Sequence, residues 1–167
     1  KRKKISIGVE DFKTLIDWNG YFVDKTLMIQ ELLESNAKVI LFTRPRRFGK
    51  TLNQFMIRRF FEDEITEKGE KVDNGYLFDG LAITRCGEEI MQHQQRYPVI
   101  FMTLKSAKQD TYDMAYASLI DEISKEFKRH AYLLQGESLS PKEKQEFQLV
   151  MDEEAQPIAY AKALGFL

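Results

Sequence analysis

Apolar residues occur along the chain both in unbroken runs and at helical spacing, and the order of the two patterns predicts an α/β fold. Residues Val39–Phe42 are apolar in succession, which is typical of a strand covered on both faces of a parallel sheet. A helix beginning near Gly49 is predicted next, because apolar residues recur there at helical spacing. They are Leu52, Phe55, Met56 and Phe60. The run Tyr97–Leu104 predicts a second central strand. We therefore expect a three-layer fold, with a parallel sheet between flanking helices.

Spacing and helix-start signals predict four further helices. One carries the apolar residues of Met28–Leu33 on one face, and a long amphipathic one covers Tyr112–Tyr132. Ser140 begins another, because it opens a capping box and is followed by a proline at the first helical position. Residues Pro157–Leu167 predict the last helix.

Composition and charge limit the classes of protein to which this chain can belong. With 167 residues, 43% of them hydrophobic, the chain can bury one sizeable core, and one domain is the default expectation. The 25 basic residues nearly balance the 26 acidic ones, which argues against nucleic-acid binding by bulk charge. The single cysteine, Cys86, excludes an internal disulfide and fits a reducing cytoplasm. No apolar run is long enough to span a bilayer, so we expect a cytoplasmic protein without a membrane partner.

The segment Arg44–Thr51, directly behind the first predicted strand, carries the main candidate chemistry. Its second half fits the phosphate-binding pattern Gly-x-x-x-x-Gly-Lys-Ser/Thr between a strand and a helix. In that pattern Lys50 reaches the β- and γ-phosphates, and Thr51 places its hydroxyl on Mg²⁺. A basic surface turn before a core helix is the structural alternative.

Arg44 stands where the pattern has its first glycine. Pro45 partly compensates, because it holds φ near −65° and favours an extended residue before it. Arg46 and Arg47 add positive charge, and guanidinium groups bind phosphate with two hydrogen bonds. Pairing of these arginines with acidic neighbours or with nucleic acid is the alternative.

Several separated segments resemble the AAA-ATPase-like proteins of bacteria. They are Ile7–Phe12, Gly20–Thr26, Leu41–Leu52, Tyr76–Phe78, Gly80–Leu81 and Tyr97–Ile100. An arginine at the first loop position is usual in that family. The resemblance implies a P-loop NTPase-like fold that binds ATP and Mg²⁺. The implied nucleotide-binding loop residues are Arg44, Pro45, Arg46, Arg47, Phe48, Gly49, Lys50, Thr51 and Leu52, with Thr51 also on the metal.

The resemblance also points to the segment before the first predicted strand. In signal-transducing P-loop ATPases this segment lies over the adenine and ribose, so four residues become candidate nucleotide contacts. They are Tyr21, Asp24, Lys25 and Thr26. In the alternative interpretation, Asp24 and Thr26 only cap the following helix.

Members of the family continue from a helix like Ala161–Leu167 into a strand that ends in the acidic Mg²⁺ motif. Residues 1–167 are therefore expected to be the N-terminal part of the P-loop domain, an incomplete domain that stops before that strand. Full-length members often carry a C-terminal restriction-endonuclease-like domain, which implies the further domains, and nucleic acid through the full-length protein, as partners. An incomplete domain leaves its sheet open and its apolar helices partly uncovered, so self-association is also expected. Because no group to orient the attacking water can be assigned, we expect ATP binding by this chain, with switching or hydrolysis in the intact protein.

Other side chains predict little chemistry. His93 and His130 are far apart without a ligand-spaced partner, and we expect both at the surface. The acidic residues Asp113, Asp121, Glu122 and Glu126 are expected on a solvated helix face. The alternative function is a module that binds an anionic ligand, nucleic acid or a protein through Arg44, Arg46 and Arg47, without nucleotide hydrolysis.

Overall fold

A computed structural model describes residues 3, 5, 7–45 and 47–167 of the chain, and helices dominate them. The α-helices are α1 (Phe12–Asp17), α2 (Leu27–Glu34), α3 (Lys50–Phe61), α4 (Glu88–Met91), α5 (Tyr112–Arg129), α6 (Pro141–Met151) and α7 (Pro157–Phe166). Short 3₁₀ helices cover Gly75–Phe78, Ala82–Arg85 and Ala131–Leu134. The described residues form two compact units. The first combines residues up to Glu64 with Asp73–Val99, and the second combines Ile65–Val72 with Ile100–Leu167.

The predicted three-layer, P-loop NTPase-like fold with a parallel sheet is wrong. The described residues contain no β-strand, and isolated bridges join Glu62 with Tyr97 and Ile65 with Lys71. In the predicted first strand, Val39 is 86% exposed and Leu41 is 82% exposed. A buried parallel strand needs neighbouring strands for its backbone and helices on both faces, and an apolar run cannot supply either by itself.

The core of the first unit is built largely from phenylalanine rings. Phe12 of α1 packs 5.2 Å from Phe22 and 5.3 Å from Phe78, measured between ring centroids. Phe60 of α3 lies 5.3 Å from Phe78 in an edge-to-face arrangement. Phe60 and Met56 are fully buried, which confirms the predicted inward face of α3. These contacts hold α1 and α3 together in the core of the first unit.

The helix α1 was not predicted from the sequence. It begins because the Asp11 carboxylate caps it, accepting a hydrogen bond from the Thr14 N–H at 3.0 Å. With six residues it is too short to show a helical period, so its stability comes from packing of Phe12 and Leu15 in the core.

The second unit is a helical cluster formed by α5, α6 and α7, whose buried residues interdigitate. Phe127 of α5 packs 4.7 Å from Phe147 of α6, between ring centroids. Ser140 forms the predicted capping box with Glu143 at the start of α6. The predicted helices of this region are therefore confirmed, although α5 ends at Arg129.

Two residues expected at the surface are buried in the second unit. Glu126 is 3% exposed and His130 is 6% exposed. Glu126 Oε1 accepts hydrogen bonds from the Phe101 N–H and from Arg129 Nη2, each at 2.7 Å. Burial raises the pKa of the Glu126 carboxyl, but His130, Arg129 and the Phe101 N–H stabilise the anion and leave the pKa below its ordinary value. Because these partners replace water around its carboxylate, Glu126 is buried, and its predicted position on a solvated helix face was wrong.

Candidate phosphate-binding site

The backbone of the Arg44–Thr51 loop turns into α3 through two residues in the left-handed region. Arg47 has φ 68° and Gly49, the residue before the helix, has φ 72°. Glycine adopts this conformation without steric penalty, whereas an arginine does so at a cost of about 1 kcal/mol. Such a cost is typical of loops whose conformation serves a ligand.

The first turn of α3 offers unpaired backbone donors. The first backbone hydrogen bond of the helix is donated by Asn53 N–H to the Gly49 carbonyl at 2.9 Å. The N–H groups of Lys50, Thr51 and Leu52 precede it and have no acceptor within the helix. No acidic side chain lies in this turn, and no side chain caps it. The positive end of the helix dipole is therefore available to an anion.

Cationic side chains surround this helix terminus. Lys50 Nζ donates a hydrogen bond to the Arg44 carbonyl oxygen, which folds the lysine back across the loop. Arg44 and Arg47 are exposed. Phe48 is 58% exposed, so the loop also presents an aromatic ring. Arg46, a predicted ligand contact, lies outside the described residues.

A concave surface of about 440 Å³ lies against the loop and the start of α3. The loop and helix contribute Pro45, Arg47, Gly49, Lys50, Thr51 and Leu52. The opposite wall is Gly8–Glu10, which the sequence analysis did not assign to the site. The only signal for it was the segment Ile7–Phe12 in the family resemblance, to which no role was attached. The structure thus brings the N-terminal segment to the predicted phosphate-binding loop.

A second cavity, of about 520 Å³, also reaches Lys50. Its apolar lining comes mainly from Met28, Ile40, Phe42 and Ile57, and its polar lining from Lys25, Glu31, Asn53 and Gln54. Arg44 and Phe48 border it on the loop side. Apolar walls with a few polar groups are typical of small-molecule sites, and the volume is within their usual range of about 300–1,000 Å³. Apart from Lys25, these polar residues had no site role in the sequence analysis.

Asp24 and Thr26 form a hydrogen-bonded link between α2 and the 3₁₀ helix Ala82–Arg85. Asp24 Oδ1 accepts from the Thr26 N–H at 2.9 Å and from the Thr26 hydroxyl at 2.6 Å, while Asp24 Oδ2 accepts from the Ala82 N–H at 2.7 Å. The Thr26 hydroxyl accepts from the Ile83 N–H at 3.1 Å. Burial raises the pKa of the Asp24 carboxyl, but the hydrogen bonds that it accepts from Thr26 and Ala82 outweigh burial and leave the pKa below its ordinary value.

The other two candidates before the loop are Lys25 and Tyr21, and they differ in their relation to the cavity. Lys25, between Asp24 and Thr26, is exposed and lines the 520 Å³ cavity. Tyr21 is 61% exposed, and it is absent from the lining of both concave surfaces described above. The Asp24–Thr26 link therefore presents Lys25 to the cavity.

Over the described part of the chain, no group of three or more His, Cys, Asp or Glu side chains is placed to hold a metal ion. No helix there combines the length and the apolar character needed to cross a membrane.

The chain belongs to the AAA-ATPase-like family, whose members are described as predicted AAA-ATPases and whose pattern matches residues 6–159. This confirms the resemblance inferred from the separated motifs. A protein of Azotobacter chroococcum mcd 1, described as an uncharacterised protein in the vnfD 5′ region, is 33% identical over 100 residues. The matched region is 59% of this chain and only 16% of that relative's length. No solved structure matches the chain.

Proposed function

We propose that the chain binds ATP together with Mg²⁺, with the phosphates at the Arg44–Thr51 loop. The observation that carries the proposal is the start of α3, where three unpaired N–H groups follow the left-handed Gly49 and the first turn of the helix contains no acidic residue. Membership of a family of predicted AAA-ATPases supports a nucleotide as the ligand.

Backbone and side-chain groups of the loop make different contacts with the phosphates in this proposal. The N–H groups of Lys50, Thr51 and Leu52 donate to phosphate oxygens along the helix axis. Lys50 exchanges the Arg44 carbonyl for a phosphate oxygen, which its exposed and flexible side chain allows. Arg44 and Arg47 add charge at the rim of the site.

The 520 Å³ cavity is our proposed site for the base and ribose. It is contiguous with the loop through Arg44, Phe48 and Lys50, so a nucleotide can place its phosphates at the helix and its base between apolar side chains. Lys25 lies at this cavity, which keeps it a nucleotide contact in the proposal. Asp24 and Thr26 act by holding Lys25 in place.

The residues also fit a magnesium ion that arrives with the nucleotide. Mg²⁺ prefers oxygen ligands and is usually held by one or two protein groups together with phosphates and water. Thr51 places a hydroxyl in the first turn of α3, beside the N–H groups proposed for the phosphates. When bound, the ion neutralises phosphate charge.

In proteins as long as the Azotobacter relative, we propose that this module reports its nucleotide state to further domains. We propose that hydrolysis, self-association and contacts with nucleic acid are activities of that whole protein. Their support is the family membership and the small share of that relative which the chain matches.

Titration calorimetry with Mg²⁺-ATP tests the binding proposal. The wild-type chain should bind saturably, and Lys50→Ala should lose at least about tenfold in affinity, because a charge-assisted hydrogen bond contributes about 1.5–3 kcal/mol. Lys162→Ala is the matched control, since Lys162 is an exposed lysine on α7. Equal affinities for wild type and Lys50→Ala would overturn the proposal.

The same titrations distinguish the alternative, an anionic-ligand site without nucleotide selectivity. The exposed Arg44 and Arg47 favour this alternative. It predicts binding that depends on these arginines, falls steeply with salt and is equally strong for inorganic polyphosphate and ATP. Selective, Lys50-dependent binding of ATP would exclude it.

A further inference from the structure

Phe48 exposes an aromatic ring in a loop whose other side chains are mainly cationic. The residue is 58% exposed and does not belong to the hydrophobic core of the first unit. Within the part of the chain that the structure describes, no other aromatic ring and no cation stacks on it. Single exposed apolar side chains are common on proteins, so exposure alone assigns no role to Phe48. Its position in the loop does.

The Phe48 ring faces the 520 Å³ cavity. Phe48 lines this cavity, whereas its two neighbours in the chain, Arg47 and Gly49, line the 440 Å³ surface. Phe48 is absent from the lining of that second surface. Because the side chain of phenylalanine is little more than its ring, the ring is the part that reaches the cavity, while the backbone on both sides of it borders the other surface.

The cavity combines this ring with aliphatic side chains. On α3, the lining residues Lys50, Asn53 and Ile57 are spaced three and four residues apart and so share one face of the helix. On α2, Met28 lines the cavity, while the next residue, Ile29, is fully buried in the core. A flat ring system in the cavity therefore contacts aliphatic groups as well as Phe48, and its insertion removes apolar surface from water.

We infer that Phe48 stacks on the base of the bound nucleotide and makes the site prefer purine nucleotides. The inference rests on the proposed function and names the part of the ligand that the cavity recognises. Stacking uses the π-face that every base has, and the larger purine ring system overlaps more of the phenylalanine ring. Phe48 therefore favours ATP and GTP over CTP and UTP, and it does not distinguish ATP from GTP.

Titration calorimetry in excess Mg²⁺ tests this role with ligands that differ in their base. The four nucleoside triphosphates and inorganic tripolyphosphate, which has no base, are compared for wild type and Phe48→Ala. The substitution should weaken ATP binding at least about fivefold, the lower end of the effect of removing one aromatic ring from a stacked base. It should leave the affinity for tripolyphosphate unchanged and reduce the preference for purines over pyrimidines.

Two further variants separate stacking from other effects of the substitution. Phe48→Trp keeps an aromatic ring and should retain the purine preference, whereas Phe48→Leu keeps an apolar side chain and should lose most of it. Trp18→Ala is the matched control, because Trp18 is 64% exposed in the same unit and lines neither concave surface. Its affinities should equal those of the wild type. Thermal unfolding of each variant checks that the fold is retained.

The outcomes distinguish this inference from the proposed function. If ATP binding depends on Lys50 but Phe48→Ala keeps the wild-type affinities, the role of Phe48 is refuted while the proposed function stands. An equal loss for ATP and tripolyphosphate, or an equal loss in Trp18→Ala, would also refute that role, because the effect would not depend on the base. If the wild type binds no ATP, the proposed function fails, and the inference that rests on it fails as well.

Discussion

At the scale of single residues, Gly49 is the position where the loop depends most directly on backbone conformation. It has φ 72°, and a Cβ atom built on it would meet no atom of the described residues within 4 Å, apart from its chain neighbours. Substitution there would therefore cost backbone strain without a steric clash. Gly80 has φ 73° and equally open surroundings, but it lies after the 3₁₀ helix Gly75–Phe78 and outside the proposed site.

This pair of glycines gives a matched test of the loop. We expect Gly49→Ala and Gly80→Ala to lower the free energy of unfolding by a similar amount, about 1 kcal/mol each, because both force alanine into the left-handed region. Only Gly49→Ala should also weaken Mg²⁺-ATP binding, since only it disturbs the donors at the start of α3. Denaturant unfolding and calorimetry measure the two effects, and unchanged nucleotide affinity in Gly49→Ala would contradict the assignment.

At the scale of elements, the start of α2 is linked to the 3₁₀ helix Ala82–Arg85 by the buried Thr26. Its hydroxyl donates to Asp24 and accepts from the Ile83 N–H. Thr26 and Ile83 are both fully buried. The Thr26 hydroxyl therefore accepts a hydrogen bond from an Ile83 N–H that has little access to water. The link aligns the element that presents Lys25 to the cavity.

We expect Thr26→Val to destabilise the protein by about 2 kcal/mol, because the isosteric change leaves a buried N–H without its acceptor. Thr84→Val is the control, since Thr84 is exposed and its hydroxyl only donates to the Leu81 carbonyl at 2.7 Å. Chemical unfolding curves of the two variants provide the comparison. A Thr26→Val variant no less stable than Thr84→Val would show that the link contributes little.

At the scale of the whole molecule, the run Val39–Phe42 is the most exposed apolar segment beside the site. Val39 and Leu41 are 86% and 82% exposed, and Ile40 and Phe42 are 39% and 43% exposed. Consecutive exposed residues of high β-propensity favour pairing with another chain. We therefore expect the self-association predicted from the sequence to use this run.

Replacing Val39 and Leu41 together by lysine should reduce self-association, because it places two charges on the exposed side of the run. The control replaces Ile158 and Leu164 of α7, which are 63% and 47% exposed, by lysine and so adds the same charge elsewhere. Sedimentation velocity over a range of concentrations measures the change. A wild-type chain that is monomeric at every concentration, or an equal effect of the control, would contradict this prediction.

The helices were largely predictable because their signals are local. The apolar spacing of α3 and the capping box of α6 are complete within a few turns of sequence, and both helices form where they were predicted. The predicted strands failed for the opposite reason. A strand needs a partner that can be far away in sequence, and neither Val39–Phe42 nor Tyr97–Leu104 becomes part of a described sheet.

The sequence by itself determined the family and most of the α-helices, α1 excepted, and it placed Lys50 and Thr51 at the start of α3, because motif, spacing and caps act between near neighbours. Only the tertiary structure brought Glu10 to the loop and placed Asn53 and Gln54 in the lining of the 520 Å³ cavity. It alone showed that Glu126 is buried. Burial and proximity between distant segments depend on how the whole chain packs, and no local pattern of residues encodes that packing.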